Sequence, residues 1–411
     1  MYYTIFEHLN INEDELININ AIRDDDFVFV QAKIKPSHQK CPYCENDDTV
    51  IKEYKTKTFK RTNMSGISYE TEIKIPRYRC KKCGKTFSKK IENGSHSKTP
   101  KSVIQKMKDL FLKPISFSDI ADTFNMSVTQ VVRIFDSMNF NYNATISEAI
   151  CIDEFRNTGD NEQKYACVIV NFLEHNIVDI LPSRTLPYLR EYMKKQPKTA
   201  LNSVKYIITD MYDGYLTIAR EYFTNAIIAI DPFHYMRYFT DALQRLRIRY
   251  KDYSYNDITW FNKNWKLYTA DEDFLDKKNY VLATGIVISF KDRMKRFLTQ
   301  NNELKTAYYL LQDYYYIVKN NNVKNGLEFI EEMIKRMRNT EIPELVSCSN
   351  TWEHYKIQIA NSFIFYKGKR LSNGPIEGIN SRIKTLKKVY CGYKNKKRFY
   401  KRVIAIINKK R

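Results

Sequence analysis

The chain has 411 residues, 68 Lys and Arg against 47 Asp and Glu, and a formal net charge of +21. That excess points to a polyanionic partner, nucleic acid first, although a Lys- and Asn-rich composition would also raise it. No apolar run approaches the roughly 18 residues of a membrane span, no charged-then-apolar leader opens the chain, and no GxxxxGK(S/T) phosphate loop occurs. A membrane-bound, secreted or ATP-driven protein is therefore not expected, and the cytoplasm is.

Residues 1–37 are a lead segment to a paired-cysteine region, 38–98. Cys41 and Cys44 in CPYC, and Cys80 and Cys83 in CKKC, form two knuckle-like turns. The residues between them, including KTKTFKR and ISYETEIKIPRYR, alternate as a β-hairpin would. Four thiolates at this spacing suit a tetrahedral, structural Zn²⁺ in a small ribbon, with no position left open for substrate. A disulfide framework is the alternative, disfavoured by the length and expected location of the chain. His38 and His96 lie nearby but are left out, because the cysteines complete the site. Cys151, Cys167, Cys348 and Cys391 read as reduced core or near-core thiols.

A boundary at Lys98 to Pro100 opens a segment, 99–143, with three helical patterns: SVIQKMKDLFLK, SFSDIADTF and VTQVVRIFDSM. Ser127 and Gln130 form a capping-box pattern at the third, with Val128, Val131, Val132 and Phe135 as its buried stripe. The last two helices resemble a helix-turn-helix, in which Thr129, Gln130 and Arg133 would face a major groove and Ser127 a phosphate. An ordinary helical hairpin has the same pattern. The cysteine module and the charge favour DNA.

In residues 144–240, AICIDEF, KYACVIVNFLE, NIVDILPSR and VKYIITDMYDGY read as strands. A short helix at Tyr188 to Lys195 precedes the fourth, DGYLTIAREYF is a helix, and NAIIAIDPFHYMRYF is a fifth strand running into another. This order resembles an RNase H-like α/β core. Asp153 and Asp210 end two of the apolar runs, where strands leave the core. Glu154 adjoins Asp153, but adjacent strand residues face opposite sides, so Asp153 is the choice. Asp213 and Asp231 read as turn or N-cap acids. Residues 241–350 are mostly helical and polar, too long for a loop, and suggest an all-helical insertion. Their aromatics could stack on bases, though packing within a bundle is the plainer reading.

Residues 351–395 contain SNGPIEGINSRIKTLKK, where Ile376, Ile379, Ile383, Leu386 and Val389 make an apolar stripe. Glu377, Asn380 and Lys384 share a polar face, and Lys387 and Lys388 follow. Gly374 as N-cap and Pro375 at the first helical position place Glu377 in the first turn, where an acid also simply stabilises the helix. The closing 396–411 is a basic amphipathic helix whose charges could meet phosphates or remain solvated.

The last region is the most specific. Trp352, Asn373, Gly374, Ile376, Glu377, Gly378, Asn380, Ile383, Lys384, Gly392 and Tyr393 stand as in the signature of the ISL3-type insertion-sequence transposases, which the chain resembles. The likeness extends to IDPFH at Ile230 to His234 and to the paired cysteines. It implies a DDE transposase with Asp153, Asp210 and Glu377 as acidic triad, binding Mg²⁺ or Mn²⁺, and an insertion placed before the last catalytic helix. Asp231 and His234 would neighbour the metals, and Lys384, Lys387 and Lys388 would contact DNA. Double-stranded DNA, at the element ends and the target, is the implied partner, with a homodimer or larger assembly acting on it and no membrane. A silent DNA-binding repressor descended from such an enzyme, or an RNase H-like nuclease that does not transpose, are the rivals.

Overall fold

Among the described residues of the computed structural model, two five-stranded sheets, two short hairpins and a set of helices fall into two compact units. One unit is Met1–Tyr142 with Ile383–Arg411, the other Asn143–Arg382. It describes residues 11–24, 27–62, 68–88, 101–140, 142–157, 164–250, 262–277, 279–281, 284–320, 323–390 and 395–409. His96, the boundary at 98–100, Trp260, Cys391, Gly392 and Tyr393 lie outside these.

In the first unit, β1 (Leu16–Asp24), β2 (Phe27–Ile34), β3 (Thr49–Thr62), β4 (Ser68–Cys80) and β5 (Thr86–Ser88) form a sheet of order β1-β2-β4-β3, with β5 on β4. The antiparallel β3–β4 hairpin begins at Thr49↔Cys80, beside the cysteine turns. The lead segment thus supplies two strands to this sheet. In FVFVQAKI, Val28, Val30, Ala32 and Ile34 are buried and pack with Phe59, Ile73 and Ile75, the period-two pattern of a half-buried strand.

Helices α1 (Lys101–Phe111), α2 (Phe117–Thr123) and α3 (Val128–Ser137) follow. Ser116 and Asp119 close a reciprocal capping box on α2, and the Ser127 hydroxyl accepts from Gln130 N at 3.2 Å to cap α3. The buried stripe of α3 is narrower than its sequence suggests: Val131 and Phe135 are buried, Val132 is half-buried, and Val128 is 44% exposed. As the first residue of α3, Val128 lies beyond the layer that the later turns cover.

The second unit is built on β6 (Ala149–Arg156), β7 (Tyr165–Asn171), β8 (Ile177–Leu181), β9 (Tyr206–Thr209) and β10 (Ile227–Ile230), with α4 (Leu186–Lys194), α5 (Lys198–Asn202) and α6 (Asp213–Tyr222) between them. The order is β8-β7-β6-β9-β10. The β8–β7 and β7–β6 pairs are antiparallel, while β6–β9 and β9–β10 are parallel. One face packs on α4 to α6 through Ile150, Ile152, Leu189, Leu201, Ile207 and Ile218.

Then come α7 (Pro232–Arg249), α8 (Glu272–Asp276), β11 (Asn279–Val281), β12 (Val287–Ser289), α9 (Phe290–Leu298), α10 (Asn302–Lys319), α11 (Gly326–Asn339), α12 (Pro343–His354), α13 (Lys356–Asn361), β13 (Phe365–Tyr366) and β14 (Lys369–Arg370). The insertion is therefore not all-helical. The β11–β12 hairpin follows from the β-branched run Ile286 to Ile288 after Gly285, which takes the left-handed φ of +80°. Many of its aromatics form a core: Tyr268, Tyr308, Tyr314 and Phe297 are buried together with Tyr235, Phe239 and Trp352. Trp352 Nε1 donates to the Tyr235 carbonyl at 3.2 Å.

Helix α14 (Gly374–Val389) leads from the second unit into the first, and α15 (Lys396–Asn408) ends the described chain. Along α14, Ile376, Ile379, Ile383 and Leu386 are buried, but Val389 is 36% exposed and Tyr390 takes the buried place after it. The helix begins one residue earlier than expected, with the Asn373 carbonyl accepting from the Ile376 and Glu377 amides. In α15 several cations are structural. Arg398 pairs with Asp136, Lys401 donates to the Met138 carbonyl, and the fully buried Arg402 donates to the carbonyls of Phe111, Lys113 and Ile115 at 3.0, 3.3 and 2.7 Å. The Arg402 guanidinium also lies over the Phe117 and Tyr390 rings. Arg402→Ala would take this buried donor from the carbonyls at and just past the end of α1 and is expected to destabilise the module by about 3 kcal/mol. Urea unfolding followed by circular dichroism would measure it, and Lys397→Ala should serve as a near-neutral control.

Candidate active site and metal centres

The parallel pairing of β6 with β9 stops at Ile152↔Thr209, and the next residue of each strand is an acid. Past that point β6 remains paired with β7 but has no partner on its β9 side, and side chains can meet in the gap beyond the end of β9. Ligand oxygens of Asp153, Glu154 and Asp210 all lie within 4.8 Å of one another. Strand parity was therefore a poor guide to Glu154, because its longer side chain reaches the cluster from the other face. Arg184, just past β8, holds Glu154 Oε1 at 2.7 Å, and its guanidinium lies 4.5 Å from the ring centroids of both Tyr165 and Tyr212. Asp210 accepts from the Tyr212 amide at 3.0 Å.

Glu377 is not in this cluster. It is exposed in the first turn of α14, three residues before Asn380. Residues so spaced are neighbours on one helix face, and Asn380 Nδ2 donates to Asp153 Oδ2 at 3.0 Å. The start of α14 is held by Asp231. This buried acid caps α7 by accepting from the Phe233 amide at 3.1 Å, and its other oxygen accepts from the Asn373 amide at 2.6 Å. The N-cap role read for Asp231 is present, joined by a second one that no local pattern could reveal. His234 is half-buried and meets Phe233 edge to face. Asp213 is the first residue of α6 and accepts from the Tyr355 hydroxyl at 3.0 Å.

The cluster is electrostatically costly when empty. Burial first, then the nearby Asp210, Glu154 and Asp231 carboxylates, push Asp153 up to about 7, against the hydrogen bond from the Glu154 amide. Burial likewise raises Asp210 and Glu154. Glu154 Oε2 and Asn380 Oδ1 are buried acceptors facing no protein donor. Oxygen ligands, excess negative charge and orphaned acceptors fit a hard divalent cation such as Mg²⁺.

The four cysteines form the second centre. Their sulfurs lie within 4.8 Å of one another, with Cys41 to Cys83 and Cys44 to Cys80 both 3.6 Å apart. Bonded sulfurs would be about 2 Å apart, whereas the edge of a zinc tetrahedron with 2.3 Å bonds is about 3.8 Å. The thiols are unlinked and fit zinc. Backbone amides of Cys83 and Lys82 lower Cys80 to about 6, favouring the thiolate a metal needs. Cys151, Cys167 and Cys348 are buried free thiols, and His38 is exposed.

The residues read as groove-facing are accessible: Ser127, Thr129 and Arg133 are exposed and Gln130 half-buried, while Lys384 and Lys388 are exposed and Lys387 half-buried. Among the described residues no helix is long and apolar enough to cross a membrane.

Residues 150–403 match the profile of a transposase family, the ISL3-type DDE transposases. The chain belongs to this family. No curated protein matches it significantly. Family membership makes the chain a DNA-processing protein with a use for divalent metal. The span matched by the transposase family includes both strand carboxylates, Glu154, Asp231 and Glu377, whereas the four-cysteine centre precedes it.

Two outcomes are expected. Chelating the metal, or Cys83→Ser, should release bound zinc and open the β3–β5 amides to hydrogen exchange while β6 to β10 stay protected; unchanged exchange would show that the sheet needs no ion. An acid whose folded-state pKa is raised stabilises less as pH climbs from its ordinary value through the raised one, here from about 4 to 7. Asp153→Asn should therefore raise the unfolding midpoint of the metal-free transposase by about 5 °C at pH 8 and by little at pH 5. Differential scanning calorimetry at both pH values checks this.

Proposed function

We propose that this protein is a DDE transposase that binds the terminal inverted repeats of its insertion sequence and catalyses metal-dependent DNA strand cleavage and strand transfer. The observation that carries the reading is the meeting of Asp153 and Asp210 beside α14, whose Asn380 already holds Asp153. The β8-β7-β6-β9-β10 order, two antiparallel pairs followed by two parallel ones, supports an RNase H-like core. In this reading Asp153, Asp210 and Glu377 hold the cations, and a rotation of the exposed Glu377 side chain brings it to the cluster. Asn380 orients Asp153, and Asp231, with His234 beside it, anchors the helix that carries Glu377. When bound, Mg²⁺ or Mn²⁺ would neutralise charge on the attacking and leaving oxygens of the phosphodiester.

The three-helix module acts as a helix-turn-helix, with Ser127, Thr129, Gln130 and Arg133 toward the repeat, supported by the structural Zn²⁺ ribbon. Lys384, Lys387 and Lys388 meet phosphates of the bound DNA. Joining two element ends calls for a homodimer or larger assembly on double-stranded DNA, and the protein works in the cytoplasm at the nucleoid.

Purified protein, Mg²⁺ and DNA carrying the sequence that flanks the gene should give cuts at defined ends. Glu377→Gln should cut at least 100-fold more slowly while binding the same DNA. Specific binding without cutting by the parent would favour a repressor. Cutting without regard to the flanking sequence would favour a nuclease.

A further inference from the structure

We propose that Glu154 is itself a ligand of the first cation to bind, with Arg184 as the positioning residue that sets its carboxylate, and that Glu377 takes no part in that first event. This rests on the metal-dependent reading above and adds to it a fourth carboxylate.

Three observations independent of the sequence signature converge on it. The Glu154 oxygen lies with those of Asp153 and Asp210 inside a 4.8 Å set, and Glu377 does not. Its Oε2 is buried with no donor, while Oε1 is taken by Arg184; one oxygen is fixed and the other left for a ligand, the division of labour seen where an outer partner orients a metal-binding carboxylate. Arg184 is held besides by the Tyr165 and Tyr212 rings, whose centroids each lie 4.5 Å from its guanidinium. The residue before Asp210, Thr209, is fully buried, and its hydroxyl has no hydrogen-bond partner. A pocket so lined is short of positive charge at the point where Glu154, Asp153 and Asp210 meet.

The cation requirement is thus met by two adjacent residues of β6 and the residue after β9 before DNA arrives. Glu377, on the exposed side of α14, joins when the cut strand is present.

Mn²⁺ binding to the full-length, DNA-free protein, read by electron paramagnetic resonance of the free ion, tests this without any turnover. Glu154→Gln and Glu154→Asp should each weaken Mn²⁺ binding at least tenfold, as Asp153→Asn should, and Glu377→Gln should stay within twofold of the parent. The aspartate keeps the charge and shortens the reach, so its loss of binding, with circular dichroism unchanged, marks a ligand and not a general field. Arg184→Lys should weaken binding despite conserving charge, because the fork and the stacking are lost. Parent-like binding by both Glu154 variants, or tighter binding by Arg184→Lys, overturns the inference. A parent that binds Mn²⁺ through Glu154 but cuts no DNA overturns the transposase reading instead and leaves this one standing.

Discussion

The arrangement of the second unit depends on one buried carboxylate that serves two helices. Asp231 sits where β10 ends and satisfies an orphan amide at the start of α7 with one oxygen and the Asn373 amide, at the start of α14, with the other. Helix N-termini present unpaired N–H groups and a positive dipole end, so two of them on one acid both repay its burial and fix the distance between the helices. The sequence distance bridged is 142 residues, which is how a carboxylate-bearing helix from the far side of an insertion is returned to the sheet. Asn361 adds a second tie, donating to the Ile228 carbonyl of β10. Everything between can then vary as an independent packing problem, centred on Trp352 and the tyrosines around it.

The same economy governs the sheet. Parallel strands β6 and β9 carry apolar residues on both faces until Ile152 and Thr209, and polarity begins where their ladder ends. A buried ladder excludes water and charge; its end is the first place where acids can converge from both faces while remaining largely desolvated. The raised Asp153 is the electrostatic cost of that location. Such a site gives up stability in the metal-free state in exchange for a strong demand for cations, a trade common at functional sites.

Much of this was legible in the chain because the signals were local. Apolar runs bounded by acids marked β6 and β9, paired cysteines marked the knuckles, and Ser127 announced α3. What escaped detection was set by tertiary partners. Val128 and Val389 continue apolar stripes in sequence, yet at the helix ends they stay partly exposed, and Tyr390 is buried where Val389 is not. Strand parity sets Glu154 on the face opposite Asp153, yet beyond the end of β9 its longer side chain still reaches the cluster. The basic C-terminal segment read as a phosphate-binding or solvated tail, but Arg402 spends its charge on the carbonyls at the end of α1. Alternation in FVFVQAKI was a readable strand signal, while its parallel partner β4, some forty residues on, was not.

Arg402 also shows why net charge is a coarse guide to a binding surface. A cation counted in the +21 can be fully buried and committed to backbone dipoles, as Arg402 is, or neutralised by a neighbour, as Arg398 is by Asp136 and Arg184 by Glu154. Only charges left facing solvent can release counterions from a polyanion and so strengthen its binding. Exposed Arg133 and Lys384 satisfy that condition by accessibility, whereas Arg402 fails it by burial. Ranking the cations by what else they hold therefore separates those that shape the fold from those able to meet a nucleic acid, a distinction that composition cannot make.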